Sequence, residues 1–498
     1  RAEHAAQIQT AEAELAERAA AAGFVWVVLD DDPTGVQTVH DLPVYTDWSR
    51  ETLRAAFAEK VPMFYILTNS RGLTGEETAA LHRELMDNLC EAAGEAGSAA
   101  SEARGAAGEG GIAAGEGGTA GAVSFQVISR SDSTLRGHFP LETDLIGECL
   151  ARRGGRRADG VILAPFFQAG GRLTVEDVHY VLSGGKLIPA AQTEFARDVS
   201  FGYAHSFLPA YIEEKTGGRA RAEEVLSIPL ECLACGDVDA AERVLLRAGH
   251  GQAIVVNTMD SADLRVFAAA LYRAIARGER FLCRTAADFV KAAGNISDRP
   301  LLTAAEMYTE SQRSRGGVIV AGSHTEKTTR QLERLRALQG LDFIEFDSDL
   351  VLTGRLAEEA SRVRILVESD VKRGITPVFY TKRRLLELPG DTKEQALRRS
   401  VAISEALVSV IGEMETAPAY VIAKGGITSS DVGTKALGVK RAWVLGQLLP
   451  GIPVWRCGAE SRFPGIPYVI FPGNVGEEDS LYQAARILEG QEEPAYAD

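Results

Sequence analysis

The sequence predicts two α/β domains, each a three-layer arrangement of a mainly parallel sheet between helices, with a cleft between the domains. Short unbroken apolar runs alternate with amphipathic stretches along nearly the whole chain, the pattern of strand–helix–strand units. Polar clusters follow several of those runs directly, at the strand ends where open α/β sheets take their ligands. With 498 residues, either half is long enough for its own core.

Residues 1–23 are rich in Ala and Glu and lack the apolar stretch of a secretory signal, so they read as a helical extension on the surface. The first domain is expected over 24–285, with strands at 24–29, 63–68, 123–128, 161–167, 253–257 and 280–283. Thr74 and Glu77 form a capping box for a helix over 74–89. Residues 92–121 are almost all Ala, Gly, Glu and Ser. They offer too little apolar bulk to offset the entropy of ordering and are expected to be a flexible insertion. A polar stretch over 286–315, holding Asn295, Ser297 and Pro300, is the expected linker. The second domain is expected over 316–488, with strands at 317–321, 343–346, 377–380, 420–423, 441–445 and 467–471. Helices over 327–339 and 392–411 lie between them, and 489–498 is a tail.

A net charge of −16 argues against nucleic acid as a partner, because phosphate contacts need a basic surface. No stretch approaches the roughly 20 apolar residues that span a bilayer, so no membrane partner is expected. Of six cysteines only Cys232 and Cys235 are close, without the second pair or the histidines that zinc requires. Reduced thiols in a cytoplasmic protein are the expectation. The eight histidines include no H-E-x-x-H, and no residues are expected to form a metal cage. Homo-oligomerisation is left open.

The sharpest chemical feature is Asp30-Asp31-Asp32-Pro33-Thr34-Gly35, directly after the first strand. Carboxylates so crowded repel one another unless a cation, a basic side chain or a ligand hydroxyl answers them. Asn69-Ser70-Arg71-Gly72 follows the second strand, and Ser129-Arg130-Ser131-Asp132-Ser133-Thr134-Leu135-Arg136-Gly137-His138 the third. Gln168-Ala169-Gly170-Gly171-Arg172 with Thr174 follows the fourth. If these strands are parallel neighbours, the four loops open at one sheet edge into a pocket of carboxylates, hydroxyls and guanidinium groups. Such a pocket suits a small polyhydroxylated anion, with arginines holding its carboxylate and aspartates accepting from its hydroxyls. The candidate contacts are Arg71, Arg130, Asp132, Ser133, Arg136 and Arg172. Two plainer readings compete. The arginines would neutralise the neighbouring aspartates, and Ser133 and Thr134 would cap the helix that starts near Pro140.

The second half carries small-residue loops instead. Gly322-Ser323-His324-Thr325, Lys424-Gly425-Gly426-Ile427-Thr428-Ser429-Ser430 and Pro472-Gly473-Asn474-Val475-Gly476 each follow a strand. Glycines let backbone N–H groups approach an anion, and a helix N-terminus adds a favourable dipole. Neither a Walker A spacing nor a G-x-G-x-x-G after a strand is present.

Asp31-Asp32-Pro33-Thr34-Gly35, Asp132-Ser133-Thr134-Leu135-Arg136-Gly137, Gly171–Thr174, Thr193–Asp198, Gly425–Ser429 and Pro472-Gly473-Asn474 occur in that order. Together they resemble the four-carbon acid sugar kinases, a family long catalogued as a domain of unknown function. The resemblance covers nearly everything from Phe24 to Leu488 outside the insertion. It implies an acid-sugar-binding N-terminal domain, an ATP-binding C-terminal domain, and phosphorylation of a hydroxyl of threonate, erythronate or 3-oxo-tetronate. It also implies that the sugar acid meets Asp31, Asp32, Arg71, Asp132 and Arg136, with Asp31 or Asp32 as the catalytic base. ATP, with Mg²⁺, would meet Ser323, Lys424, Gly425, Gly426, Ile427, Thr428 and Gly473. The alternatives are a kinase for a different or longer aldonate, or a non-catalytic protein that binds a sugar acid and nucleotide or acts as an effector-like module.

Overall fold

A computed structural model of the chain describes residues 2–107, 122–308, 312, 314–384, 386, 388, 390–473 and 475–491. It contains two compact units. One holds the chain up to Gly35 together with Asp47–Asp298; the other holds Val36–Thr46 and the chain from Arg299 onward. A short segment of the N-terminal half thus belongs with the C-terminal unit.

The strands of the first unit are β1 (Val25–Asp30), β3 (Met63–Leu67), β4 (Phe125–Arg130), β5 (Gly160–Ala164), β9 (Leu226–Ile228), β10 (Gln252–Val256) and β11 (Phe281–Thr285). They form a wholly parallel sheet in the order β3-β1-β4-β11-β5-β10-β9. Val27, on β1, lies opposite Phe64 on one side and Val127 on the other. Trp26, Val27, Val28 and Leu29 are all buried, as a strand covered on both faces requires. An antiparallel meander of β6 (Arg172–Val175), β7 (Val178–Ser183) and β8 (Lys186–Pro189) stands apart from this sheet. Val181 of β7 joins a core with Leu135, Phe139 and Tyr211. The meander was not expected, since its strands are too short and too polar to read as apolar runs.

The N-terminal extension is the helix Ala5–Ala21. It packs on the helix Ser261–Ala276, with Arg273 Nε and Nη2 each donating to the Glu14 carboxylate at 2.5 Å. The Thr74–Glu77 capping box is present: Thr74 N donates to Glu77 Oε2 at 2.9 Å and Glu77 N to Thr74 Oγ1 at 3.2 Å. The helix it opens runs over Gly75–Ala107, well past Leu89. Residues 92–107 are therefore helical rather than a flexible insertion, and Ala92 and Ala93 are buried. Alanine and glutamate are strong helix formers, so this composition favours helix once one face has something to pack against. The remainder of the expected insertion, 108–121, lies outside the described residues. The expected linker is divided. The helix Ala287–Ala293 follows β11 in the first unit, residues from Arg299 onward belong to the second, and 309–311 and 313 lie outside the described residues.

The second unit comprises β2 (Leu42–Tyr45), β12 (Val318–Ala321), β13 (Leu341–Phe346), β14 (Thr376–Thr381), β15 (Val421–Lys424), β16 (Arg441–Leu449), β17 (Ile452–Cys457) and β18 (Pro467–Phe471). Strands β13-β14-β12-β15-β18 are parallel, and β17, β16 and β2 extend the sheet antiparallel. Ile319, Ile422, Val469 and Phe471 anchor its core. Of the C-terminal tail, 492–498 lie outside the described residues.

Each sheet has one point where the chain, having run outward on one side, returns to the other. In the first unit β1 leads to β3 on one flank and β4 then takes the other. In the second, β12 leads through β13 and β14 before β15 takes the opposite flank. Loops diverge at such points and leave a crevice at the carboxyl ends of the strands. The triple-aspartate turn follows β1 and the Gly-Gly loop follows β15, so both lie at these points.

Candidate ligand sites in the two units

Beyond the end of β1, Asp31 is almost fully enclosed. Arg71 Nη2 donates to its Oδ1 at 2.5 Å and Nε to its Oδ2 at 3.2 Å, while Ser131 Oγ donates to Oδ2 at 2.5 Å. Asp32 is more open. Arg71 Nη1 reaches its Oδ2 at 3.1 Å, and Thr34 donates to Oδ1 through N at 2.8 Å and Oγ1 at 2.5 Å. Burial works against the ionised Asp32, yet the Arg71 cation and the Thr34 hydroxyl outweigh it and hold the carboxyl below the ordinary range. Asp30 lies beneath, 1% exposed, and accepts from Arg130 Nη1 at 3.1 Å. Burial raises its pKa to about 7 against the pull of Arg130.

Arg130 is itself only 4% exposed. It does not present a free guanidinium to a ligand but neutralises Asp30 and, at 3.9 Å, Asp31. Its place on β4, in register with Asp30, imposes this. Arg71 likewise spends its donors on Asp31 and Asp32, with Asp132 Oδ1 at 3.9 Å. The plainer reading of these two arginines therefore describes their geometry.

Asp132 accepts from Arg136 Nε at 2.8 Å and from the Thr134 hydroxyl. Burial opposes its charge, but Arg71 and Arg136 hold it far below the usual carboxylate range. Ser133 contributes its carbonyl, which accepts from His179 Nε2 at 2.8 Å. Neither Ser133 nor Thr134 caps the helix Leu141–Gly154, whose N-cap is Pro140 without a side-chain bond. Gly137 closes the loop at φ +110°, where a Cβ would come within 2.7 Å of Ser131 Oγ and 3.0 Å of Asp31 Oδ2.

Arg136 and Arg172 lie over the Phe195 ring, 5.1 and 5.5 Å from its centroid. Arg136 also approaches Asp198 at 3.8 Å. Arg172, at the start of β6, donates to the Gly170 carbonyl and has a buried Nε without a partner. It forms no ion pair among the described residues, and burial lowers its pKa. Phe195 and Asp198 stand in the Thr193–Asp198 segment, whose sequence assigns neither a role. Glu142 and Arg284 belong to no motif; a cation at the end of an apolar run is the one signal for Arg284.

In the second unit, loops after β12, β15 and β18 converge. Gly425 has φ +122°, and a Cβ on it would meet Ser323 Cβ and Thr428 Oγ1 at 3.3 Å. A Cβ on Gly473 would lie 3.8 Å from Gly425 Cα and 4.0 Å from Gly426 N and Ser323 Oγ. Ser323, Gly425, Gly426 and Gly473 are thus brought together from positions about 150 residues apart. Gly426 opens the helix Gly426–Asp431 with open space where a Cβ would be. Ile427 is 75% exposed and Thr428 is buried. Lys424 is fully buried, donating through Nζ to Pro472 O at 2.6 Å and Gly473 O at 3.0 Å, 4.4 Å from the Phe471 ring centroid. Burial, aided by Lys327, lowers its pKa to about 7. Arg383, not singled out in the sequence, donates through Nη2 to Ser323 O at 2.6 Å. Asn474 lies outside the described residues.

The loops thus place small residues beside Lys424 and Arg383, with the Gly425 N–H donating to Phe471 O at 2.9 Å. Small residues let backbone approach an anion closely. Among the described residues no cluster of three or more His, Cys, Asp or Glu side chains could hold a metal ion. A Mg²⁺ carried on nucleotide phosphates, which keeps several waters, needs no such cage. No described helix is long and apolar enough to cross a membrane.

Each of the two α/β units gathers polar loops at the carboxyl ends of its strands, a carboxylate–guanidinium cluster in one and converging glycine loops in the other. Residues 26–293 match the family model described as a sugar-binding N-terminal domain, and 318–481 that of a nucleotide-binding C-terminal domain. The chain belongs to the four-carbon acid sugar kinase family, DUF1537, which is built from these two domains. Its fold is similar to that of a Salmonella typhimurium LT2 protein provisionally called a tRNA synthase, at 16% identity and TM-score 0.63, covering 93% of this chain and 98% of that one. It is also similar to a Haemophilus influenzae member of DUF1537, at 16% identity and TM-score 0.59, covering 93% and 100%. No curated protein matches the sequence.

Proposed function

We propose that the protein uses ATP to phosphorylate a hydroxyl of a four-carbon sugar acid of the threonate, erythronate or 3-oxo-tetronate type. One observation carries the reading: of the four arginines in the first unit's loop cluster, Arg172 alone lacks a carboxylate partner among the described residues. Asp132 and Glu194 act on it only from beyond ion-pair distance, Arg136 opposes its charge, and it is partly desolvated, which suits a cation that takes an anion directly. The substrate carboxylate pairs with Arg172, with Arg136 and Phe195 flanking it, and the sugar hydroxyls donate to Asp32 and Asp132.

Asp32, the more open of the paired aspartates, accepts the hydrogen bond of the attacking hydroxyl and orients it. The hydroxyl oxygen forms a bond to the γ-phosphorus while the bond from that phosphorus to the β,γ-bridging oxygen breaks. ADP leaves with the bonding pair, and the hydroxyl proton passes to Asp32 and then to water. Asp31 and Arg71 hold Asp32 in place. Phosphoryl transfer needs mainly positioning and charge stabilisation. Backbone N–H groups of Gly426 and Gly473 and the Ser323 and Thr428 hydroxyls would cradle the phosphates, with Ile427 against the nucleotide. Gly425, whose own N–H donates to Phe471 O at 2.9 Å, lets the chain approach closely, and Lys424 lies buried behind the loop. Mg²⁺ would arrive with the nucleotide and supply charge neutralisation for the phosphates.

The test is ADP release by the purified protein across a panel of C4 to C6 aldonates. Turnover with one C4 acid supports the reading. Turnover only with longer acids moves the substrate class, and acid binding by calorimetry without ADP release marks a non-catalytic binder.

A further inference from the structure

Beneath the loop cluster lies a buried charged network that the proposed reaction does not use. Glu142, in the first turn of the helix Leu141–Gly154, has a side chain only 2% exposed. Its Oε1 accepts from Ser70 Oγ at 2.6 Å. Its Oε2 faces Arg284 Nη1 at 3.4 Å, and Arg284, at the carboxyl end of β11, is 5% exposed. Arg284 Nη2 in turn donates to the Arg136 carbonyl at 3.1 Å. His82 Nε2 completes the surroundings of Glu142 at 3.8 Å, and its Nδ1 lies 2.9 Å from Thr78 O. His138 Nε2 lies 3.1 Å from Ser70 O and 3.0 Å from Leu73 O.

Ser70 directly precedes Arg71 in the 3₁₀ turn Ser70–Gly72, which begins after Asn69 at φ +54°. One carboxylate therefore touches the turn that bears Arg71 and, through Arg284, the loop that bears Arg136. A buried carboxylate is costly unless paired and hydrogen-bonded. Burial does oppose its charge, yet Arg284 and His82 hold it below the ordinary range. Such a group restrains geometry more effectively than a neutral side chain of the same size, because charge-assisted bonds are shorter and stronger.

We infer that Glu142 is a positioning residue that sets the Arg71 turn and the Arg136 loop in one register, and so tunes affinity for the acid without touching it. The inference rests on reading this loop cluster as the sugar-acid site. Glu142→Gln keeps the shape and the acceptor for Ser70 but removes the charge facing Arg284. Buried Arg284 then lacks its counter-ion, and its hold on the Arg136 carbonyl loosens.

The experiment combines steady-state kinetics with hydrogen–deuterium exchange on the full chain. With the best C4 aldonate of the panel, Glu142→Gln is expected to raise KM for the acid about tenfold, the loss of one charge-assisted bond. The KM for ATP stays unchanged and kcat stays near wild type. Glu142→Asp, which keeps the charge on a shorter stem, restores part of the loss, and the effects of Ser70→Ala and Glu142→Gln do not add. An unchanged acid KM, or ATP and acid KM rising together, overturns the inference. If the wild type turns over no aldonate, the kinase reading fails by itself and exchange decides the positioning role. Faster exchange in both 70–73 and 136–138 in Glu142→Gln supports it, and a change confined to 141–146 overturns it.

Discussion

Arg71 grips both oxygens of Asp31, Nη2 at 2.5 Å from Oδ1 and Nε at 3.2 Å from Oδ2, and uses its remaining Nη1 on Asp32. A bidentate pair of this kind fixes planes as well as distances. It encloses Asp31 and leaves Asp32 the more exposed carboxylate, the one to which we assign the hydroxyl.

The first prediction separates those roles. Asp32→Asn is expected to lower kcat by about 10²–10⁴-fold, the usual loss for a removed general base, with nucleotide binding intact. Asp31→Asn leaves Arg71 and Arg130 short of a counter-charge and should lower thermal stability as well as activity. Steady-state kinetics and calorimetric melts on both variants check this. Near-normal kcat in Asp32→Asn removes it from the chemistry.

For the substrate carboxylate, Arg172→Ala is expected to raise KM for the acid by about tenfold or more, with a smaller effect on kcat, because a clamp binds ground and transition states alike. Arg130→Ala instead strips the buried Asp30 of its partner and should show first as lost stability, about 3–5 kcal/mol for a broken buried pair. Denaturant titrations beside the kinetics separate the two effects.

At the glycine loops, Gly425→Ala forces a side chain onto φ +122° and is expected to destabilise the loop by about 1–3 kcal/mol. Gly426→Val has open space around its Cβ, so the unit should fold and lose ADP affinity because bulk stands where phosphate approaches. Calorimetry with ADP reads both. Wild-type affinity in folded Gly426→Val places the nucleotide elsewhere.

Lys424 makes a pH-dependent signature. Its pKa is lowered to about 7 by burial, so at pH 8 the folded protein holds it mostly neutral while the unfolded chain holds it charged. The penalty for burying the charge is full below pH 7 and is relieved as pH rises from 7 toward 10.5. A phosphate nearby favours the ammonium, so ADP binding at pH 8 is expected to take up protons. Titrations in buffers of differing ionisation enthalpy check this, and Lys424→Met should abolish the protein's share.

The aspartates act with opposite signs on acid stability. Asp32 and Asp132 titrate below their unfolded range, so their contribution is present above about pH 4 and is lost as pH falls through their folded pKa values. Asp30, raised to about 7, binds more protons folded than unfolded between pH 3.8 and 7, and its contribution is lost as pH rises across that window. Melting temperatures against pH should flatten at the acid end in Asp132→Asn and across pH 4–7 in Asp30→Asn.

The sequence by itself determined the alternation of buried strands and helices, the parallel pairing that follows from it, and the polar loops at the strand ends. Each is a local property: β1 reads as a strand on both sides of which apolar residues must be covered, and Asp30–Asp32 end it wherever it is placed. Tertiary structure decided what local pattern does not encode. It placed Val36–Thr46 with the second unit, because β2 pairs with β16 some 400 residues away. It continued the Gly75–Ala107 helix through a composition that reads as disordered, because Ala92 and Ala93 find a core to enter. It also chose partners among four arginines and as many aspartates that the sequence could list but not match. Electrostatic pairing depends on distance and burial, and strand order sets these: Arg130 meets Asp30 because β4 lies beside β1 in register, and Arg172, starting a separate meander, is left with none among the described residues.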